Sequence, residues 1–294
     1  MKPLSASVIL PVYNDQRNLQ ACLAALANQT LPHEQFEVIV VDNDSLPAMI
    51  LSDLPHLNMT LLHCASPGSY AARNAGLRAA NGEVIAFLDV DCLPDKRWLA
   101  SGIEAIHEAP RKTLVGGNVK FDFPENPAAI ELFQFIRISG QKINIEQKGF
   151  SVTANLFARR EEIMLVGDFD DSLLSGGDRE WCWRAFEQGF DIKFSELTIV
   201  TTRFRDTLMA SIIRARRITG GNYHMKKNMN FKNHSADPAV ARFAYTSPGF
   251  FQLLRRHELP LSMQCRVIGI AVVLRIAQIF ELLRLRAGFT AERR

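Results

Sequence analysis

Two carboxylates one residue apart, Asp89 and Asp91, end an apolar run in the stretch FLDVDCLPDKRW. If strand pairing stops there and the backbone turns, both reach one ligand. Such a pair suits a hard divalent cation, Mg²⁺ or Mn²⁺, which takes oxygen ligands and commonly completes its shell with phosphate oxygens. The competing reading is a solvated turn with an acidic cap for the helix that begins near Trp98. Two further polar clusters have the same character, Tyr13-Asn14-Asp15 and Asp42-Asn43-Asp44. Each follows an apolar, β-rich run, and three such endings carry more information than one.

The elements that must position these clusters follow from periodicity. Strands are expected at Ala6–Val12, Phe36–Val41, Met59–Cys64 and Glu83–Leu88. Leu19, Cys22, Leu23 and Leu26 recur at helical spacing between the first two. An Ala-rich helix follows the Pro67-Gly68 break and stops at Gly82. Alternation of strands and helices, with continuous apolar strands, predicts an α/β fold with a mostly parallel sheet flanked by helices. In such sheets ligands bind beyond the carboxyl ends of the strands, where the polar clusters lie. After residue 110 the pattern is less regular. Thr113–Phe121 and Ser151–Arg160 read as strands, Gly176–Gly189 as a helix opening on Asp178, and DIKF and LTIVTT as two short strands. From Thr207 the chain reads as a helical C-terminal extension, broken near Gly220-Gly221, Pro248-Gly249 and Pro260.

The chain has 294 residues, 47% hydrophobic and 22% charged, an ordinary globular composition. Its five cysteines are scattered and form no C-x-x-C pair, which reads as reduced thiols in a cytosolic setting. The first strand begins within ten residues, so no secretory leader is expected. Neither G-x-G-x-x-G nor G-x-x-x-x-G-K-S/T occurs, which disfavours dinucleotide dehydrogenases and P-loop enzymes.

Four segments occur in order: PVYND (11–15), EVIVVDNDS (37–45), ARNAGLRAANGEVIAFLDVD (72–91) and GGDREWCWR (176–184). Together they resemble the GT-A glycosyltransferases, specifically the large inverting family 2, over about residues 6–205. The resemblance implies a Rossmann-like domain over 1–205, with a nucleotide-binding half (1–110) and an acceptor half (111–205), followed by a basic helical region over 206–294. It implies that Pro11 and Tyr13 line the base pocket, and that Asp15 stands where the family often has Glu. Asp42 would accept a hydrogen bond from the base, and a uracil N–H donor suits a carboxylate, which favours uridine. Arg73 and its neighbour Asn74 would lie near base and diphosphate. Asp89 would touch ribose or a metal-bound water, and Asp91 would bind Mn²⁺ or Mg²⁺ directly. Asp178 is then the base that deprotonates an acceptor hydroxyl, against the plainer reading of a helix cap. Arg184 either anchors the diphosphate or pairs with Glu180 at i, i+4. Asn155 and Gly116-Gly117 match segments that shape the donor-sugar pocket. Gly176 and Gly177 would let the backbone approach the sugar, and Trp181 or Trp183 would mark an acceptor subsite.

The implied activity is metal-dependent inverting transfer of a sugar from a nucleotide-diphosphate sugar to a glycan or lipid-linked acceptor, as in cell-envelope glycan synthesis. The alternatives are a sugar-1-phosphate nucleotidyltransferase and a binding protein of the same fold that has lost strong catalysis. One departure from the family stands at Thr201-Thr202-Arg203, where many relatives carry a His. Arg203, Arg205 or His224 would have to replace it.

Charge is uneven. Residues 1–202 carry 17 basic against 26 acidic residues, net −9, and residues 203–294 carry 17 against 5, net +12. The basic tail, which includes Lys226, Lys227 and Lys232, is expected to face something anionic, with a membrane surface as one partner and docking on its own domain or a second subunit as the alternative. No recognisable nucleic-acid module is present. RVIGIAVVLRIAQIFELLRLR (266–286) has no uncharged run near the roughly 20 residues needed to span a bilayer. Its Arg266 and Arg275 point opposite ways around a helix, which weakens an amphipathic reading. The expected location is cytoplasmic, at the inner face of the plasma membrane if the tail binds lipid.

Overall fold

The computed structural model of the protein describes residues 4–51, 53–138, 140–205, 207–228 and 259–291. The expected break at Pro248-Gly249, Lys232 and the side chain of Lys226 lie outside the described residues. Among the described residues, eight strands form one mixed sheet, in the order β3-β2-β1-β4-β7-β6-β8-β5. The strands β1 (Ala6–Val12), β2 (Phe36–Asp42), β3 (Met59–His63) and β4 (Val84–Leu88) run parallel. Every residue of β1, β2 and β4 is buried, as unbroken apolar runs require when both sheet faces are covered. β3 lies at the sheet edge with no residue fully buried.

The helix α1 (Gln16–Ala27) buries Leu19, Cys22, Leu23 and Leu26, the four residues its spacing selects. The Ala-rich helix is α2 (Ser69–Ala79). The chain passes from β1 outward to β2 and β3, then returns to place β4 on the other side of β1. The sheet order therefore reverses between β1 and β4, and the ends of those two strands flank the crevice that such a reversal opens.

The second half of the sheet is antiparallel. β7 (Asn155–Arg159) pairs with β4, and β6 (Thr113–Asp122) pairs with β7. β5 (Cys92–Pro94) pairs with the far end of β8 (Asp191–Arg203). The two short strands expected at DIKF and LTIVTT are this one strand, whose alternating burial hides its continuity from an apolar-run search. The helices α3 (Trp98–Glu108), α6 (Arg160–Val166) and α7 (Gly177–Glu187) belong to this half. Two helices that the sequence reading did not foresee are α4 (Ala129–Arg137) and α5 (Gly140–Lys148).

Contacts divide the chain into two compact units. The first holds residues 1–120, 141–172 and 177–202, with a core around Trp98 and Phe157. The second holds residues 121–140, 173–176 and 203–294. Its core joins α4 with α8 (Leu208–Asn228) and α9 (Leu261–Arg286) through Ile130, Phe133, Ala215, Val267 and Leu274. Glu281 is fully buried there and is matched by Arg216 at 3.0 Å and Arg284 at 2.8 Å. α8 does not break at Gly220-Gly221. A side chain at Gly221 would meet the Ser175 carbonyl at 2.2 Å, so the glycine serves close packing inside a continuous helix.

Candidate active site

The end of β1 turns sharply at Asn14, whose φ is +50°, within the left-handed region that Asn tolerates. Its amide oxygen accepts from Leu46 N at 2.8 Å, and its backbone N–H donates to Ser45 Oγ at 2.9 Å. Asn14 thereby ties the end of β1 to the loop after β2. Asp15, not Asn14, caps α1, accepting from Asn18 N at 3.3 Å. Pro11 is buried within β1 and Tyr13 is half-buried just beyond its end.

Asp42 ends β2 and is buried, and its two oxygens accept from Ser45 N at 3.0 Å and Met49 N at 2.9 Å. It therefore shapes the loop over the sheet edge. Each of its oxygens has a second lone pair for another donor. Asn43 fastens the neighbouring loop, donating to Cys64 O and Ser66 O and accepting from Gly68 N. The sequence reading did not single out Asn43.

A chain of four side chains crosses from α2 to α7. Arg73 is buried and pairs with Asp89, which is partly exposed at the end of β4. The Arg73 guanidinium also lies over the Tyr70 ring, 5.5 Å from its centroid. The Tyr70 hydroxyl donates to Asp178 Oδ1 at 3.4 Å, and Arg179 N donates to the same oxygen at 2.9 Å. Burial pushes the Asp178 carboxyl up from the ordinary range, against the lowering effect of the Arg179 amide and of the Arg73 and Arg179 charges. Burial also raises the Tyr70 phenol, so it remains a donor.

Three sequence-selected residues thus meet: Arg73, Asp89 and Asp178. Tyr70 was missed, although its spacing of three from Arg73 puts both on one face of α2. A side chain at Gly177 would lie 2.8 Å from the Tyr70 ring. Gly177 is therefore needed for the tyrosine to approach.

The segment before α7 is fixed from several sides. Asn74 donates to Phe169 O and accepts from Phe169 N, both at 2.9 Å. Trp181 Nε1 donates to Gly167 O, and its ring stacks on Phe169. Arg184 donates to Val166 O, to Asp168 O and to both oxygens of Glu180. Of the two readings of Arg184, the geometry displays the pairing with Glu180. Four of its donor contacts are spent inside the fold, where they set the attitude of α7. Trp181 is fully buried, which makes it core, and Trp183 is half-buried beside Arg179, 5.2 Å from the ring centroid.

Asn155 is fully buried and is placed in the core. Its oxygen accepts from Trp98 Nε1 at 2.9 Å, and its nitrogen donates to Asn118 O at 3.0 Å and Thr198 O at 2.8 Å. Both amide hydrogens are consumed, so it has none to offer a ligand.

Asp91 is exposed on the turn after β4. Its carbonyl accepts from Thr202 Oγ1 at 2.9 Å, so the end of β8 is fastened to the acidic turn. Arg203 forms an exposed pair with Asp122. The helix near Trp98 is not capped by the acidic turn, since Trp98 N donates to Asp95 O. Among the described residues, no group of three His, Cys, Asp or Glu could hold a metal by itself. All five cysteines are free, and the thiols of Cys22 and Cys92 are pushed up by burial and then by Asp91 and Asp89. A cation here would rest on carboxylate and outside oxygens, which fits Mg²⁺ or Mn²⁺ and not a thiolate-bound metal.

Known proteins resemble the chain in sequence and in fold. Residues 7–164 match the profile described as glycosyl transferase family 2. A glycosyltransferase of Haloferax volcanii, AglE, is 38% identical over 195 residues, covering 64% of this chain and 64% of its own length. The pre-mycofactocin glycosyltransferase of Mycobacterium tuberculosis is 29% identical over 216 residues, covering 71% of this chain and 44% of its own length. The chain therefore spans less than two thirds of these relatives. Among solved structures, the Pyrobaculum calidifontis mannosyltransferase PcManGT, in complex with GDP-Man and Mn²⁺, superposes with a TM-score of 0.60 at 19% identity, covering 96% of this chain and 88% of its own. S. aureus TarS 1–349 in complex with UDP gives a TM-score of 0.53 at 19% identity, covering 91% of this chain and 79% of its own. The profile match spans more than half of the chain, and it takes in the strand ends of β1, β2 and β4 in their observed order: the chain belongs to glycosyl transferase family 2.

Proposed function

We propose that the protein transfers a sugar from a nucleotide-diphosphate sugar to an acceptor hydroxyl, with inversion at the anomeric carbon and with Mn²⁺ or Mg²⁺. The observation that carries this reading is the continuous line Asp89–Arg73–Tyr70–Asp178. It joins a carboxylate beside a solvent-facing acid to a half-buried carboxylate of raised proton affinity. The solved neighbours are described with GDP-Man and Mn²⁺, UDP, and UDP-GlcNAc, all nucleotide diphosphates or their sugars. Asp42 keeps lone pairs that can accept the N–H of uracil, the base in this proposal. A glycan or lipid-linked hydroxyl is the proposed acceptor.

In this reading, Asp91 and the diphosphate would share the cation, which when bound neutralises charge building on the leaving group. Asp89 stays paired with Arg73 and faces the ribose side. Oδ1 of Asp178 is occupied by the Tyr70 hydroxyl and the Arg179 amide, and Oδ2 has no hydrogen bond among the described residues. Oδ2 takes the proton of the acceptor hydroxyl as that oxygen bonds to the anomeric carbon. The bond from that carbon to the diphosphate breaks on the opposite face. Arg184, Asn155 and Asn74 act at one remove, by fixing the backbone around the site.

Calorimetry with UDP, GDP and NAD, each with and without Mn²⁺, tests the donor side. UDP is expected to bind with Mn²⁺, and Asp91→Ala to weaken that binding by at least the roughly tenfold that losing a metal-orienting group costs. Binding of NAD alone, or metal-independent binding unchanged in Asp91→Ala, contradicts the reading. Tyr70→Phe tests the other end. Losing a hydrogen bond worth roughly 1 kcal/mol lowers turnover about fivefold. It also moves the acid limb of the rate profile to higher pH, because that bond favours the ionised form of Asp178. An unchanged profile removes Tyr70 from the mechanism.

A further inference from the structure

The second unit carries a feature that sugar transfer does not use. α9 spans 26 residues, about 39 Å of helix at 1.5 Å per residue. One narrow seam, Val267, Leu274, Glu281 and Leu285, is buried, and the helix packs against α8 and α4. On the other side lie Val272, Val273, Ile276, Ile279, Phe280 and Leu283, which are 39% to 60% exposed. Their spacing by threes and fours makes one continuous stripe. Arg266, Arg275 and Arg286 are exposed as well. Arg275 and Arg286 fall on one shoulder of the stripe and Arg266 on the other, at 3.6 residues per turn. The opposed directions of Arg266 and Arg275, which weakened the amphipathic reading of the sequence, thus frame the apolar face.

We infer that this face of α9 lies on an anionic lipid surface, with the stripe in the acyl boundary and the flanking arginines at the headgroups. Charge selects the occupant. The single acid of α9, Glu281, is fully buried and matched by Arg216 and Arg284, so the outward face of α9 carries cations and no carboxylate. α8 has no acidic residue. A second copy laid on the same stripe would bring arginines toward arginines with no carboxylate on α9 between them. A bilayer rich in anionic lipid satisfies both components, because long basic side chains at the edges of a stripe reach the headgroups. No described helix is long and apolar enough to cross a membrane, so the contact is one of lying on the surface. This inference is independent of the reading of the active site.

Flotation of the full chain with vesicles tests it. The protein is expected to float with vesicles of phosphatidylglycerol and phosphatidylcholine at low salt, less at high salt, and little with phosphatidylcholine alone. Arg266→Gln with Arg275→Gln is expected to lower partitioning about 30-fold, two cations at about fivefold each. Ile276→Ser with Phe280→Ser is expected to abolish it. Both pairs are solvent-facing, so their melting temperatures should match the parent. Failure to float with anionic vesicles overturns the inference. So does a dimer in solution that the Ile276→Ser, Phe280→Ser pair converts to monomer, which would make a second copy the occupant. A large melting shift in that pair without change in flotation would assign the face to the protein's own chain and overturn it equally.

Discussion

Asp178→Asn is expected to lower turnover by about 10²–10⁴-fold, the usual worth of a positioned general base, while donor affinity stays within about twofold. The split follows from the geometry. An Asn side chain still accepts from the Tyr70 hydroxyl and the Arg179 amide through its oxygen, so the local fold is kept. It cannot take a proton at the second position. The parent should show an acid limb above the ordinary carboxylate range, because desolvation favours the protonated form and the base must be ionised to act. Stability carries the opposite sign. A carboxyl whose folded pKa is raised stabilises the fold fully below its unfolded pKa, and that contribution is lost as pH rises through the folded pKa. At neutral pH the ionised Asp178 is therefore a cost that Asn removes. The variant should melt higher than the parent at pH 7 and show no such gain near pH 3. Normal turnover in the variant would dismiss Asp178 as base, and equal melting at pH 7 would dismiss the burial argument.

The parallel half of the sheet was legible because its chemistry is local. An apolar run ending in Asp or Asn declares both a buried strand and its exit, and the ends at Tyr13, Asp42 and Asp89 fall along one edge for that reason. The 129–148 region was illegible in part. α4 buries Ile130, Leu132, Phe133 and Ile136, a helical spacing present in the sequence and overlooked, whereas α5 buries Gln141 and Ile145 and has no apolar stripe to read. The pairing of Tyr70 with Asp178 joins residues 108 apart and leaves no local mark. Arg184 and Asn155 show a different limit. A resemblance transfers a position, and the position is the same whether the side chain faces a ligand or holds the wall behind it. Hydrogen-bond accounting separates the two, since donors already consumed inside the fold cannot serve a substrate.

Asn155 supplies the sharper test of that accounting. β7 begins at Asn155, opposite Leu88, one residue before the first acid of the Asp89-Asp91 turn. Its amide binds the indole of Trp98 on α3, the Asn118 carbonyl on β6 and the Thr198 carbonyl on β8. Gly117 makes room for it, since a side chain there would sit 2.4 Å from the amide nitrogen. Asn155→Ala would leave the buried Trp98 N–H and Thr198 carbonyl without these partners, each costing about 1–3 kcal/mol, and would strip the half-buried Asn118 carbonyl of one. The expected loss is roughly 2–6 kcal/mol from the two buried groups, a large share of the about 5–15 kcal/mol by which a domain is stable. Urea unfolding reads it as a lower midpoint with an unchanged slope. Donor affinity, measured by titration well below that midpoint, should equal the parent's, because the removed amide faced the core. A variant with parental stability and lost donor binding would mean that Asn155 turns toward the sugar, and the wall behind the acidic turn would have to be built by other groups.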